Sequence, residues 1–388
     1  MMRTLQIAHK PPYPKLDGGC VAIAAMHNTL ASFSEVNLAF ITTHKHPFVA
    51  TEFPVEIQRK IKAHRHLNAS PTLFGFIKSF VTRKCYLTSR FYSRSFEKEL
   101  VKLIDDNKPD FILLESVFLA DYINTLKQTG TKILLRTHNV ESAIWKSKSN
   151  HTSFFKRLLF LHFSRSIHQL EVNACKSVDG IIAISQRELE FIAQHQISTP
   201  HILIPMGITE TNQYSSYQRS FFHLGAMDWE PNKRGTDWLV DKVWQKVYQT
   251  TQSQLHLAGK SLQQTEYNNI EGVYNHGEIN NAHAFMCQHG ILVVPLFSGS
   301  GIRIKIMEAG LHKTPVIATP KAVEGLNLIP ETHYLEATTE AEFYTQMTRL
   351  VNDIKLQQQL GTSLHAHIID QFHYTKLNQR LIEFCQSI

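Results

Sequence analysis

Short apolar segments alternate with longer amphipathic segments along this chain, and the alternation occurs in two separate runs. The first run begins with TLQIAH (residues 4–9), passes through VNLAFITT, DFILLES, KILLRTHN and DGIIAIS, and ends with HILIPMGI (201–208). The second begins with FFHLGAM (221–227) and continues through QLHLAGK, GVYNHGEI, GILVVPL and TPVIAT (314–319). Short buried strands separated by helices are typical of parallel sheets covered on both faces. We therefore predict an α/β fold of two Rossmann-like domains with a cleft between them.

The length supports the division into two domains, because 388 residues exceed what one ordinary hydrophobic core holds. The segment TETNQYSSYQRS, between the two runs, is polar and aperiodic, as a linker is. We predict an N-terminal domain over residues 1–206 and a C-terminal domain over residues 207–370. Residues 371–388, FHYTKLNQRLIEFCQSI from Phe372 onward, are predicted to form a terminal helix that packs back on the first domain.

Several protein classes are disfavoured by composition. Apolar residues make up 43% of the chain, but there is no run of about 18 apolar residues, so we expect no membrane span. The apolar patch near the N-terminus is too short for a signal peptide. The five cysteines are scattered without CxxC spacing, which favours buried thiols in a reducing compartment. We expect a cytoplasmic protein.

The 22 histidines raise the question of metal binding. The pairs His44/His46, His64/His66 and His365/His367 stand two residues apart, and no HExxH or similar spacing supports them with a carboxylate. We therefore predict no metal site. Residues i and i+2 do share a face of a strand, so a metal site on a strand stays an alternative.

The formal charge of +7 is concentrated in two acid-free segments that are rich in aromatic residues. The first runs from Ile57 to Phe96 and contains nine Lys or Arg residues, and the second runs from Ser142 to Leu170. The plain interpretation is two amphipathic helices with solvated basic faces. The alternative is contact with an anionic membrane surface, to which Leu and Phe clusters are suited. We expect no nucleic acid partner, because no helix-turn-helix or RNP-like motif is present.

Candidate site residues follow the predicted strands, since ligands of open α/β sheets bind beyond the carboxyl ends of the strands. Gly18 and Gly19 follow the first strand, His138 follows KILLRT, Gly225 follows FFHL, and the turn Ser298–Gly301 follows ILVVPL. No GxGxxG, GxxxxGK[ST] or GxSxG motif accompanies them, which disfavours a dehydrogenase, a P-loop NTPase and a serine hydrolase.

The turn SGSG continues into a helix start that carries Arg303, Lys305 and Glu308. Free backbone amides, a helix dipole and two cations within one turn are suited to a diphosphate. A carboxylate one turn further on can accept hydrogen bonds from sugar hydroxyls. A ribose next to a diphosphate describes a nucleotide sugar.

The block PLFSGSGIRIKIMEAGLHKTPVIATPKAVEGL resembles the donor-binding signature of the retaining glycosyltransferases of family 4, the glycosyl transferases group 1, which have the GT-B fold. Other blocks are similar in the same order, from PPYPKLDGG through RTHNVES and ACKSVDGIIAISQRE to FFHLGAMDWEPNKRGTDWLVDKVW. The resemblance covers nearly the whole chain.

The resemblance implies roles for individual residues. Glu308 matches the second glutamate of the family's E-x7-E motif and is expected to hold the nucleotide ribose. Ser300 stands where the first glutamate falls, as in a subgroup with a GSGIRxK version of the motif. Arg303 and Lys305 are the expected diphosphate clamp, and His138 matches the family histidine near the anomeric carbon. The remaining expected donor-binding residues are Gly18, Gly19, Gly225, Gly301 and Ile302, with Asn139 and Glu141 as weaker candidates near His138.

The resemblance also implies a function. The expected function is that of a metal-independent hexosyltransferase, which retains configuration and takes a UDP- or GDP-linked sugar as co-substrate, with no further cofactor. The N-terminal domain would be the acceptor side, for a saccharide or lipid-linked acceptor in envelope polysaccharide or glycolipid synthesis. The enzyme would be cytoplasmic or peripheral on the inner face of the membrane. A GT-B nucleotide-sugar epimerase and a non-catalytic GT-B partner protein are the alternatives.

Overall fold

The computed structural model describes residues 2–72, 75, 76, 79, 85–149, 152–205, 207, 208, 211–299 and 302–388. The chain divides into two units. The first unit comprises Met1–Gly207 together with Leu377–Ile388, and the second comprises Ile208–Lys376. Each unit is built around one parallel sheet.

The first unit contains a seven-stranded parallel sheet in the order β3-β2-β1-β4-β5-β6-β7. Most of its strands are apolar on both faces because helices cover both faces of the sheet. The strands are β1 Met2–Ala8, β2 Ser34–Thr42, β3 Ile61–His66, β4 Phe111–Glu115, β5 Lys132–Arg136, β6 Gly180–Ala183 and β7 His201–Leu203. The helices are α1 Gly18–Ala31, α2 Val55–Gln58, α3 Tyr86–Ser89, α4 Arg94–Asn107, α5 Ile123–Lys127, α6 Glu141–Ser149, α7 Phe154–Ser177 and α8 Gln186–Gln194.

The two acid-free segments fold differently from each other. The second forms α6 and most of α7, so the interpretation as helix is confirmed there. In the first, the interpretation is wrong for Ile61–His66, which is strand β3 and pairs with β2 in parallel. The segment IKAHRH is an edge strand with Ala63 as its buried residue, and the other side chains are half-buried or exposed. Edge strands tolerate such charge, and for this reason the pattern lacked an apolar strand signal.

The second unit contains a six-stranded parallel sheet in the order β10-β9-β8-β11-β12-β13. The strands are β8 Ser220–Leu224, β9 Gln254–Ala258, β10 Val273–Asn275, β11 Ile291–Val294, β12 Val316–Ala318 and β13 Leu335–Glu336. The helices are α9 Glu230–Trp238, α10 Gln245–Thr251, α11 Ala282–Gln288, α12 Ile304–Leu311, α13 Glu340–Asn352 and α14 Ile354–Phe372. The last helix, α15 Tyr374–Ser387, begins in the second unit and belongs to the first unit from Leu377 onward. A π-helical turn, Leu239–Trp244, joins α9 to α10.

Each sheet is covered by a hydrophobic cluster on both faces. In the second unit, Phe222 and Val294 belong to one cluster, and their neighbours Phe221 and Val293 belong to the other. The last helix, α15, contributes Leu377 and Leu381 to a cluster of the first unit. The prediction of two Rossmann-like parallel sheets is confirmed.

Two further sequence features have a structural counterpart. The five cysteines all lie in the described part of the chain and form no disulfide, and three of them are buried. Among the described helices, none is both long enough and apolar enough to cross a membrane.

Candidate active site

In the second unit, three residues meet at the carboxyl end of β8. Gly225 directly follows this strand, Asn232 lies in the first turn of α9, and Lys305 lies in the first turn of α12. The Lys305 ammonium donates to Asn232 Oδ1 over 3.0 Å, and Asn232 Nδ2 donates to the Ala226 carbonyl over 3.0 Å. A Cβ atom on Gly225 would lie 2.8 Å from Lys305 Nζ. The structure therefore brings Gly225 and Lys305 together, and a side chain at position 225 would require the Lys305 ammonium and the Asn232 amide to shift.

Backbone atoms of Gly225, Gly259 and Gly277 lie against one another at this strand end, and these three residues are called the glycine floor. A Cβ atom on Gly259, which has φ of +147°, would lie 1.8 Å from the carbonyl oxygen of Gly225. The Gly259 amide donates to the Gly277 carbonyl over 2.8 Å. The segments that follow β8, β9 and β10 are therefore in contact through backbone atoms, and the backbone closely approaches whatever binds above Gly225.

The pKa of the Lys305 ammonium is strongly shifted from its ordinary value. Burial, followed by the positive charge of Arg303, lowers the pKa of its ammonium to about 7. Within the described part of the chain, no carboxylate lies within ion-pair distance of Lys305. Burial and Lys305 lower the pKa of the neighbouring His223 to about 3, so that ring is neutral at neutral pH. An anion beside Lys305 would favour the charged ammonium.

Arg303 is 7% exposed and immediately precedes α12. Its guanidinium carbon lies 5.0 Å from the centre of the Trp229 ring, a cation–π distance. Gly299, with φ of +103°, passes close to both groups, since a Cβ atom there would lie 2.7 Å from the indole and 3.1 Å from Arg303 Nη2. Trp229 and Gly299 thus hold the guanidinium in place at the start of the helix.

Glu308 lies one turn further along α12 and its side chain is 26% exposed. His283 Nε2 lies 3.9 Å from Glu308 Oε1, and His283 Nδ1 is 2.7 Å from His312 Nε2. Burial raises the pKa of the Glu308 carboxyl, whereas His283 and Lys305 lower it. Its oxygens keep accepting capacity, because the 3.9 Å approach is too long for a hydrogen bond.

Three predicted residues belong to the preceding turn. Ser300 and Gly301 lie outside the described residues. Ile302 is half-buried and packs against the core of the second unit. Its side chain is therefore part of the packing beneath the turn.

In the first unit, His138 follows β5 by two residues and joins a buried polar cluster. Its Nε2 lies 2.8 Å from Glu115 Oε2, which also accepts from Arg136 Nη1 over 3.0 Å. The second carboxylate oxygen, Oε1, accepts from Gln6 Nε2 over 2.7 Å. Glu115 is fully buried at the end of β4, and the parallel register pairs it with Arg136. Side chains from β1 and β5, and His138 just beyond β5, thus contact the one carboxylate of Glu115 on β4.

The charge of Glu115 determines which ring nitrogen of His138 carries the hydrogen. Burial opposes ionisation of Glu115, but the charge of Arg136 and the hydrogen bond from His138 outweigh it and lower the pKa to about 2. An ionised carboxylate only accepts, so His138 Nε2 carries the hydrogen and Nδ1 keeps the lone pair. Burial lowers the pKa of His138, so the ring stays neutral. The arrangement presents a hydrogen-bond acceptor of fixed tautomer at the end of β5.

Gly18 and Gly19 open helix α1, behind an acidic cap. Asp17 Oδ1 accepts from the Cys20 amide over 3.0 Å and from Lys10 Nζ over 2.8 Å. A Cβ atom on Gly19 would lie 2.4 Å from Lys10 Nζ, whereas one on Gly18 would meet nothing within 4 Å. Gly19 therefore leaves space for the Lys10–Asp17 ion pair at the start of the helix.

Asn139 and Glu141 follow His138 into α6. Asn139 Nδ2 donates to Glu141 Oε1 over 3.3 Å. The buried Glu171 on α7 accepts from the amides of Glu141 and Ser142 over 2.6 and 3.2 Å. These contacts hold the start of α6, so both residues are joined to the helix rather than to the Glu115 cluster.

The structure adds functional candidates that the sequence reasoning missed. They are Glu115 in the first unit and Trp229, Asn232 and His283 in the second. Glu115 could have been noticed as a carboxylate that ends the apolar strand FILLE. Trp229 and Asn232 lie just beyond β8, where the strand-end rule applies. Only the fold shows that His283 approaches Glu308.

Residues 218–353 match the family model of the glycosyl transferases group 1. A Klebsiella pneumoniae protein, described as an uncharacterized 44.6 kDa protein in cps region, is 20% identical over 391 residues, covering 97% of this chain and 98% of that protein.

Solved structures are similar over the whole chain. HepE from Anabaena, solved in complex with UDP, superposes with a TM-score of 0.67 at 12% identity, covering 100% of both chains. Sucrose-phosphate synthase from Thermosynechococcus elongatus superposes with a TM-score of 0.68 at 17% identity, covering 100% of this chain and 99% of that one. These likenesses confirm the GT-B fold, and the family model confirms the resemblance to the glycosyl transferases group 1.

Proposed function

We propose that this protein carries out a retaining transfer of a hexose from a nucleotide sugar, on the basis of its GT-B fold and of the match of residues 218–353 to the glycosyl transferases group 1. The acceptor is a saccharide or a lipid-linked saccharide of an envelope polysaccharide or glycolipid. The cps region named for the Klebsiella pneumoniae relative supports a polysaccharide product.

The observation that carries the proposal is the half-buried ammonium of Lys305 above the glycine floor at the end of β8. A cation that is partly desolvated and has no carboxylate partner among the described residues is costly to the free protein. An anionic ligand recovers that cost, because it restores the charged form of Lys305 and pairs with it. Arg303 stands two residues before it and adds a second cation. A diphosphate is an anion of suitable charge and size for both.

The donor nucleotide is proposed to bind with its diphosphate at Lys305 and Arg303 and its ribose at Glu308. UDP is the first candidate for the nucleotide of the donor, since HepE was solved with UDP and with UDP-glucose, and GDP is the second candidate. The carboxylate of Glu308 accepts hydrogen bonds from the ribose hydroxyls. Trp229 is covered by the Arg303 guanidinium, so we assign it to holding the cation and not to base stacking.

The proposed chemistry needs no protein base on the acceptor. The bond from the anomeric carbon to the leaving diphosphate breaks, the acceptor oxygen bonds to the same face, and the acceptor's proton passes to the leaving phosphate. Lys305 and Arg303 stabilise the negative charge that grows on this phosphate. No divalent metal is needed for that step when two cations supply the charge. The resemblance assigns His138 to the donor sugar, and a neutral Nδ1 acceptor is suited to a sugar hydroxyl.

The first unit is proposed to contact an anionic membrane surface through the start of α7. Phe154 and Leu158 are 68% and 53% exposed, one helical turn apart, and Lys156 and Arg157 beside them are exposed. Exposed apolar side chains flanked by cations suit the boundary between head groups and acyl chains. Reversing the charges of Lys156, Arg157 and Arg165 is expected to abolish flotation with anionic liposomes, and unchanged flotation would contradict this proposal.

The donor is tested first by thermal denaturation with UDP, GDP, ADP and their sugars. The correct nucleotide raises Tm, because a ligand that binds only the folded protein stabilises it by mass action. Lys305→Ala is expected to abolish the rise, whereas Arg234→Ala, which removes an exposed cation paired with Glu230, is expected to retain it. A rise that survives in the Lys305 variant would contradict the proposed diphosphate contact.

The reaction is tested second, by mass spectrometry and NMR spectroscopy of products formed with the donor alone and with saccharide acceptors, because NMR distinguishes anomers and epimers of equal mass. Transfer to an acceptor with retained configuration supports the proposal. A changed sugar that is formed without acceptor would identify an epimerase. Nucleotide binding with no turnover under either condition would identify a non-catalytic GT-B protein.

A further inference from the structure

Three histidines from separate segments of the second unit converge beside β9. His256 lies on β9, His276 follows β10 by one residue, and His289 stands between α11 and β11. They are 13 or more residues apart along the chain, and none belongs to the paired histidines noted in the sequence. His256 is 8% exposed, His289 is half-buried and His276 is exposed.

The nitrogen atoms of the three rings lie close enough to share one ion. One ring nitrogen from each histidine lies within 4.8 Å of the other two. His256 Nδ1 and His276 Nε2 are 3.0 Å apart. A tetrahedral metal with bonds of about 2.0–2.1 Å to imidazole nitrogen places two ligand atoms about 3.4 Å apart. The exposed ring of His276 and the half-buried ring of His289 can turn to reach that spacing.

Aromatic side chains enclose the three rings. Tyr274 stacks on His256 with ring centroids 5.3 Å apart, and Phe285 contacts His276 and His289 at 5.2 and 4.3 Å. The rings of His256 and His289 are stacked at 3.9 Å. The nearly buried His256 forms the inner side of the cluster, while the exposed His276 leaves an outer side open for a fourth ligand.

We propose that His256, His276 and His289 form a binding site for a divalent late transition metal ion, with Zn²⁺ as the reference ion. Three imidazoles without a carboxylate or thiolate favour Zn²⁺, Cu²⁺, Ni²⁺ or Co²⁺ over Mg²⁺ and Ca²⁺, which prefer oxygen ligands. Water completes the coordination on the exposed side.

Bound metal would connect three segments of the second unit. His276 is followed by Gly277, whose carbonyl accepts from the Gly259 amide over 2.8 Å. Gly259 in turn lies against Gly225. The ion is thus assigned to holding the segment after β10, on which the glycine floor rests, and it takes no part in the proposed transfer.

A second group in the chain has metal-ligating atoms, namely Asp17, Cys20 and His46 in the first unit. Its carboxylate is already paired with the Lys10 ammonium at 2.8 Å, so a cation would have to displace that lysine. This group serves as the internal rival in the test.

The test is equilibrium dialysis of the full-length protein against Zn²⁺, with metal counted by elemental analysis, and Co²⁺ substitution followed by visible absorption. One Zn²⁺ per chain and the absorption of four-coordinate Co²⁺ are expected. His276→Ala and His289→Ala are each expected to weaken Zn²⁺ binding at least about tenfold. His46→Ala and the exposed His201→Ala, as matched controls, are expected to bind as the parent does.

His276 is exposed, so loss of binding in His276→Ala is not a loss of folding, and a circular dichroism melt of each variant checks this. The proposal is overturned if the parent binds no Zn²⁺, which would leave the 3.0 Å contact as a hydrogen bond between two rings. It is also overturned if binding survives in both variants, or if His46→Ala alone removes it.

Discussion

Replacing Glu115 by Gln tests the buried cluster beneath His138. Gln has the shape of the protonated carboxyl, so the substitution removes the charge and leaves the geometry. The pKa of Glu115 is lowered from its ordinary value of 4.5 to about 2, by Arg136 and His138 against the opposing effect of burial. At about 1.4 kcal/mol for each tenfold change in ionisation, the variant should lose about 3 kcal/mol of the free energy of unfolding at pH 7. Removing one partner of a buried ion pair costs about 3–5 kcal/mol, which agrees.

The assay must report on the first unit alone, because a two-domain chain has no single unfolding free energy. Hydrogen exchange of peptides that cover β4 and β5 does so, since slow amides there exchange through opening of the sheet. A loss of about 3 kcal/mol corresponds to exchange about a hundredfold faster. The matched control is Glu99→Gln, at an ion pair with Arg65 in which both side chains are over a third exposed. Such a pair contributes about 0–1 kcal/mol.

The contribution of Glu115 to the stability of the folded protein decreases at low pH. A carboxyl whose pKa is lowered on folding stabilises the protein above pH 4.5, and this contribution is lost as the pH falls towards 2. The difference between the parent protein and Glu115→Gln should therefore be constant from pH 5 to 8 and shrink below pH 4.5. Equal exchange rates in the Glu115 and Glu99 variants at pH 7 would refute the assignment of Glu115 as the charged centre of the cluster.

Three other outcomes are expected. Gly225→Ala should abolish nucleotide-induced stabilisation, because its Cβ would lie 2.8 Å from the Lys305 ammonium, whereas Arg234→Ala, at an exposed ion pair, should keep it; binding retained by the Gly225 variant would contradict the glycine requirement. The pKa values of His9 and His27 are lowered to about 3 and 4, chiefly by burial. Protection of the β1 amides, corrected for the intrinsic exchange rate at each pH, should fall as the pH drops below about 6.5, since the unfolded chain binds the protons that these rings exclude; constant protection would argue against it. Leu158→Ser, at a side chain that is 53% exposed, should weaken flotation with anionic liposomes about tenfold while leaving Tm unchanged, and a lower Tm would show that this side chain packs in the core.

Most of the fold follows from the sequence because most of its strands are buried on both faces. A strand such as Phe111–Glu115 must be apolar throughout, and the loops around it must be polar, so the alternation is readable. The strand Ile61–His66 lies at the edge of its sheet, where charged residues are tolerated. Leu335–Glu336 is too short to show a pattern. These two strands were therefore not predicted.

Some residues of the candidate site could likewise be predicted from the sequence, whereas others depend on the fold. Gly225 and Lys305 were found because each stands next to a strand end or a helix start, which are local features. Glu115 depends on the register that pairs it with Arg136, and this register is a property of the sheet rather than of either segment. His256, His276 and His289 likewise meet only because β9 and β10 are neighbours and α11 leads back to their side.

The contact between Gly225 and Gly259 also limits how this protein can vary. A side chain at position 259 would collide with the backbone oxygen of residue 225, and that oxygen is present whichever amino acid stands there. No substitution at one position can therefore compensate for a change at the other. Scanning both positions together should show two independent requirements for glycine and no permitted pair, in contrast to side-chain contacts, where a larger residue can be matched by a smaller neighbour.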